Sequence, residues 1–192
     1  MQPADKKRLL VYTTVFGVLW GILEMVLGSW LHLMHFPFTG GLMAGIGGIV
    51  LCSERGFTPV RGATLWTGFV AVLFKCISAG GFSFGPVIAI AIETVVVEAV
   101  LSLMGVNAVS FFVGPLLSSL EAVPHVFVSN WLMFGVGIFK TYGKAVHQIQ
   151  AFFGLSQDLW KVVAGVWLGG HLLLAVLSGA LSVKVGRYLR KI

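Results

Sequence analysis

The chain has 192 residues, 57% of them hydrophobic and 10% charged, with a formal net charge of +6. A soluble domain carries roughly 25% charged residues, so 13 Lys and Arg with 7 Asp and Glu cannot coat a solvated surface. A soluble enzyme, a nucleic-acid-binding domain and a disordered chain are excluded. A spanning helix takes about 20 apolar residues, so six would use roughly 120 positions. That leaves no room for a nucleotide-hydrolysing domain, and no G-x-x-x-x-G-K-[ST] phosphate loop occurs. Any ATP-driven motor must therefore be another chain.

The composition predicts an all-α membrane protein, a compact bundle of six transmembrane helices in a single domain, residues 1–192. After the polar MQPADKKR, a first span runs over 9–34. It is too long for a signal-peptide core and has no small-residue cleavage site, so it reads as retained. HFPFTGG makes a short turn before a Gly-rich second span, 40–53, and SERGFTPVRG forms a polar connection. Span three covers 63–77, an uncharged Gly- and Phe-containing loop covers 78–86, and span four covers 87–104. Span five, 111–139, contains Pro124, where a lost ladder bond predicts a kink. Between spans five and six, Val146, Ile149, Phe152 and Phe153 recur at helical spacing, which predicts an interfacial amphipathic segment. The last span is 159–183.

Six spans put both termini on one side. That side collects Lys6, Lys7, Arg8, Arg55, Arg61, Lys184, Arg187, Arg190 and Lys191, against Lys75, Lys140, Lys144 and Lys161 on the other. The positive-inside rule then places both termini in the cytoplasm, as expected for a multi-pass protein of a bacterial cytoplasmic membrane. The basic excess is thus a topology signal and a contact for the lipid bilayer, with no nucleic acid implied. Cys52 and Cys76 fall at opposite ends of their spans, too far apart to pair, and read as packing residues.

An ionisable side chain inside hydrocarbon is a functional hypothesis by default. Glu24, Lys75, Glu93, Glu98, Glu121, His125 and His171 are so placed, with His32 and His35 at the outer end of span one. By depth, Glu24, His32, Lys75, Glu93, Asn130, Trp131 and His171 gather near the outer half and are the candidate ligand-binding residues. Each has a packing alternative: the carboxylates can pair with Lys75 or a His, and interface rings need no ligand. Glu121 and His125, four apart on one helix face, are metal candidates along with His35, but an intrahelical hydrogen bond explains the first two as well. The buried set has an acidic excess, which favours a cationic or amine-bearing ligand where several Glu are ionised. No H-E-x-x-H, G-x-S-x-G or C-x-x-C motif supports an intramembrane enzyme, and no cofactor is expected.

Span one also carries Gly17-Val-Leu-Trp-Gly21, a small-xxx-small step for close helix approach. With the six spans, the inside termini and the length, this step resembles the substrate-binding S components of energy-coupling factor (ECF) transporters. In that family an A-x-x-x-A-type motif on the first helix meets the membrane coupling subunit. Gly17 and Gly21 are the matching positions, with Gly in place of Ala, and would be the partner interface. The resemblance implies a high-affinity capture subunit for a vitamin, vitamin precursor or related small molecule, held in an outer-half pocket. It implies a membrane coupling subunit and two cytoplasmic ATPase subunits as partners. The N-terminal Met-His motif of the nickel and cobalt members is missing from MQPAD. Two other readings stay open: a structural or assembly membrane protein without a ligand, and a haem- or metal-handling membrane protein.

Overall fold

The computed structural model describes residues 3–34, 36–77, 84–137 and 159–189, with 139, 140, 143, 151, 154 and 156 between the last two stretches. Every regular element among them is helical: α1 (Pro3–Leu23), a π-helical turn (Glu24–Gly28), α2 (Ser29–Leu33), α3 (Thr39–Phe57), α4 (Ala63–Cys76), α5 (Phe84–Met104), α6 (Ala108–Phe134) and α7 (Leu159–Leu189). Four stretches are long and apolar enough to cross a membrane: Lys6–Leu33, Phe84–Met104, Ala108–Phe134 and Leu159–Leu189.

The most glycine-rich helix sits in the middle. α3 packs against α1, α4, α5, α6 and α7, which follow one another around it in the order α1–α4–α5–α6–α7. Its glycines admit the neighbours one by one. A Cβ on Gly47 would lie 2.7 Å from the Trp20 ring, and one on Gly48 would lie 2.7 Å from the Pro115 Cα. One on Gly45 would lie 2.8 Å from Ser178. Large apolar side chains are exposed on α1, α4, α5, α6 and α7 but on no residue of α3. Apolar surface facing outwards on every peripheral helix is what a bilayer solvates and water does not. The core joins Trp20, Leu51, Ile90, Val97, Leu101 and Phe111.

Helix ends follow local chemistry. Asn107 caps α6 by accepting from the amides of Val109 (2.8 Å) and Ser110 (3.1 Å), while the Ser110 hydroxyl accepts from the Asn107 amide. Gly135, with φ of 69°, ends that helix, so span five stops at Phe134 and not at 139. The expected kink takes no assigned helix apart, since α6 runs unbroken through both Pro115 and Pro124. α7 continues six residues past the expected end, to Leu189. The amphipathic segment expected at 140–158, with His147, lies almost wholly outside the described residues, as does most of the 78–86 loop. Cys52 and Cys76 are free thiols, as expected.

Two readings of the sequence are corrected. Ser53–Phe57 belongs to α3 and not to a polar connection, because Glu54 and Arg55 are buried inside the bundle. Gly17 and Gly21 are also buried, facing α4: a Cβ on Gly17 would lie 2.6 Å from Val70 Cβ, and one on Gly21 would lie 2.5 Å from Phe74 Cβ. The small-xxx-small step is used up within the bundle and is not available to a coupling subunit.

Candidate functional site

A cavity of about 220 Å³ opens at the end of the bundle that holds the 34–39, 77–84 and 134–159 connections, away from both termini. Its walls come from four parts of the chain. The first helix contributes Glu24 and His32, α3 contributes Thr39 and Met43, α5 contributes Glu93, and α6 contributes Glu121, His125, Ser129 and Asn130.

Glu24 is placed by the π turn. The wider pitch of such a turn interrupts the regular i to i−4 ladder, and the Glu24 carbonyl accepts from Lys75 Nζ at 3.1 Å. The same ammonium lies 3.8 Å from the Glu24 carboxylate, with both side chains more than nine-tenths buried. Gly28 makes the approach possible, since a Cβ there would stand 3.2 Å from Glu24 Oε2 and 3.8 Å from Lys75 Nζ. Lys75 therefore serves the cavity from behind, on α4, neutralising one wall without lining it.

On the opposite wall, His125 Nδ1 lies 3.3 Å from Glu121 Oε1, and its Nε2 lies 3.1 Å from the Gly85 carbonyl. Both neighbours accept hydrogen bonds, so a ring protonated at both nitrogens satisfies both. The pair bridges α6 to the start of α5. Its four-residue spacing produces the intrahelical contact that competed with metal ligation in the sequence reading. Among the described residues, no three His, Cys, Asp or Glu side chains gather as a metal set.

Glu93 differs from both other carboxylates. It is 4% exposed, and its Oε2 has no hydrogen-bond partner among the described residues. It lies nine residues into α5, about 14 Å below the helix start at 1.5 Å per residue. A polar group so buried ordinarily has a partner. Here the side chain lines the cavity instead.

Comparison of the chain with family models, curated proteins and solved structures finds no match. The chemistry of the site must be read from its own residues.

Of the residues singled out by depth, Glu24, His32, Glu93 and Asn130 line the cavity, joined by Glu121 and His125. The Asn130 amide donates to the Val126 carbonyl at 2.7 Å. Lys75 stands behind the wall, and the two remaining candidates stand elsewhere. Trp131, one position on from Asn130, is half exposed on the outside of the bundle. His171 is 2% exposed and packs in the core, its Nδ1 donating to the Trp167 carbonyl at 2.9 Å and its ring 5.4 Å from that of Phe38. Gly41 accommodates it, because a Cβ there would lie 2.8 Å from His171 Cδ2. His35 lies outside the described residues.

The opposite end of the bundle holds a polar cluster that the sequence reading missed. Arg55 Nη1 pairs with Glu98 Oε2 at 3.3 Å and donates to the Val60 carbonyl, while Nη2 reaches Ser102 Oγ at 3.3 Å. Glu98 also accepts from the Thr64 and Ser102 hydroxyls and, at 2.8 Å, from the Gly62 amide. Gly62 has φ of 84°, a left-handed conformation that presents its N–H to Glu98 at the start of α4. An Arg inside the polar SERG run, with a Glu inside span four, was the available signal.

Proposed function

We propose that the chain is the substrate-capture subunit of an ECF-type importer for a vitamin, vitamin precursor or related small molecule. In this reading six helices span a bacterial cytoplasmic membrane, with both termini inside and the cavity in the outer half. The bound molecule passes to a membrane coupling subunit driven by two ATPase subunits in trans. The observation that carries the proposal is the cavity itself: a walled space among apolar helices that collects ionisable side chains from three separate parts of the chain. Concave sites with a few convergent polar groups are where small ligands bind, and intramembrane charges gather at ligand paths.

Charge placement supports the orientation. Removing the two buried, paired cations Arg55 and Lys75 from the comparison leaves, among the described residues, Lys6, Lys7, Arg8, Arg61, Lys184 and Arg187 on the terminus side. The cavity side retains Lys140 and Lys161 among them. The asymmetry favours the termini in the cytoplasm more strongly than the raw count. A structural protein without a ligand has no use for a buried carboxylate left open to a cavity.

Two measurements test the proposal. Native mass spectrometry of gently purified protein should reveal a stoichiometric small molecule. Co-expression with coupling and ATPase subunits should yield a stable complex. Protein that is ligand-free under all conditions and assembles with no coupling subunit would refute the capture role.

A further inference from the structure

The three cavity carboxylates are not equivalent, and their difference specifies the ligand. Glu24 faces the Lys75 ammonium at 3.8 Å, and Glu121 faces the His125 ring at 3.3 Å. Glu93 has no ion pair and its Oε2 no hydrogen-bond donor among the described residues; it is 4% exposed and lines the same space. Glu121 Oε2, on the neighbouring helix α6, is likewise without a hydrogen-bond partner among the described residues. Two cavity-lining carboxyl groups therefore each keep an oxygen to which nothing donates among the described residues.

We propose that the cavity binds a small organic cation, a protonated amine or amidine, through a charge-assisted hydrogen bond to Glu93, with Glu121 as second acceptor. This rests on the capture reading and names its substrate class. An anionic molecule finds no donor at Glu93 and a neutral one supplies no countercharge, whereas an N–H cation supplies both the missing donor and the charge that lets a buried carboxyl ionise. Size narrows the class further. The space of about 220 Å³ is below the roughly 300–1,000 Å³ of pockets for drug-sized ligands. Its floor and sides include the apolar Met43, Ala89 and Ile90, which suit a single ring or a short hydrocarbon frame bearing the cationic group.

The test uses three probes of one shape and different charge: benzamidine (cation), benzamide (neutral) and benzoate (anion). Each is titrated against the full chain in lipid nanodiscs and read by native mass spectrometry and thermal unfolding. Benzamidine should bind about tenfold or more tighter than benzamide, the factor expected of one hydrogen bond to a charged group, and benzoate should not bind. Glu93→Gln should bring benzamidine to the level of benzamide, while Lys184→Gln, an exposed charge far along α7, should leave it unchanged. Where Glu93→Gln does not fold, the ranking of the three probes on the unaltered chain decides. Benzamide or benzoate binding as well as benzamidine overturns the cation proposal and leaves the capture reading standing. Unchanged selectivity in folded Glu93→Gln does the same. Failure of all three probes, on protein that carries no small molecule from the cell, overturns both.

Discussion

Arg55 and Glu98 form a buried pair whose two halves are not equally dependent on each other, and this asymmetry can be measured. Their side chains are 3% and 11% exposed. Removing one partner of a buried pair costs about 3–5 kcal/mol because the other is left uncompensated. In Arg55→Met, Glu98 still accepts from Gly62, Thr64 and Ser102, so the loss should fall near the lower bound, about 3 kcal/mol. In Glu98→Met, the Gly62 amide and the Thr64 hydroxyl lose their acceptor, and Arg55 keeps only Val60 and Ser102. That loss should reach the upper bound, about 5 kcal/mol. At roughly 2–4 °C per kcal/mol for a chain of this size, the expected falls in Tm are about 6–12 °C and 10–20 °C respectively. Thermal unfolding in one detergent, followed by tryptophan fluorescence, gives both values. The double variant Arg55→Met/Glu98→Met should lose less than the sum, since neither charge is then stranded. Greater damage from Arg55→Met, or strict additivity, would refute this account of the cluster.

The other predictions concern packing and the cavity. Gly17→Ala should cost about 1–3 kcal/mol, because the new Cβ would meet Val70 Cβ and the rigid Thr67 carbonyl; an unchanged Tm would mean that α1 does not rest on α4 there. Lys75→Met should destabilise by about 3 kcal/mol or more by stranding Glu24, and adding Glu24→Gln should restore most of it; a double variant as unstable as the single one contradicts the pairing. His171→Leu should lower Tm yet leave the benzamidine-to-benzamide ratio unchanged, which separates its packing role from ligand contact. Glu54→Gln should not lower Tm, since the Glu54 carboxyl group is fully buried with no hydrogen-bond partner among the described residues; a clear fall would reveal a partner.

What the sequence made legible was what burial penalises. Charges in an apolar span are costly wherever the helix faces, so Glu24, His32, Glu93 and Asn130 could be marked by depth alone, and they do meet in one cavity. Depth, however, carries no information about rotation around the helix axis. Asn130 and Trp131 share a depth, yet one lines the cavity and the other faces outwards. His171 has the right depth on a helix that contributes nothing to the cavity wall. The Gly17–Gly21 step announced a close helix contact correctly but not its partner, because small size permits approach by any helix, and α4 takes the place. Arg55 was lost for a different reason. A polar run of four reads as a connection until a distant carboxylate, here Glu98 on α5, extends the helix by pairing with it. The π turn at Glu24–Gly28 had no signal beyond an acidic residue in an apolar span.

Glu93 and Glu98 show why a buried charge is not by itself a site. They stand five residues apart on α5, about 7.5 Å along its axis, and both are buried. Glu98 receives donors from Arg55, Gly62, Thr64 and Ser102, which fill its acceptor positions and fix α3, α4, α5 and the 57–63 connection together. A carboxylate so satisfied has nothing left to offer a ligand. Glu93 has an open oxygen and an adjoining space. Glu54 supplies the complementary case: its oxygens are also without hydrogen-bond partners among the described residues, but it is fully enclosed and does not line the cavity that Glu93 lines. An unfilled acceptor position and room for a ligand must coincide, and among the described buried acidic residues they do so at Glu93, with Glu121 lining the same cavity.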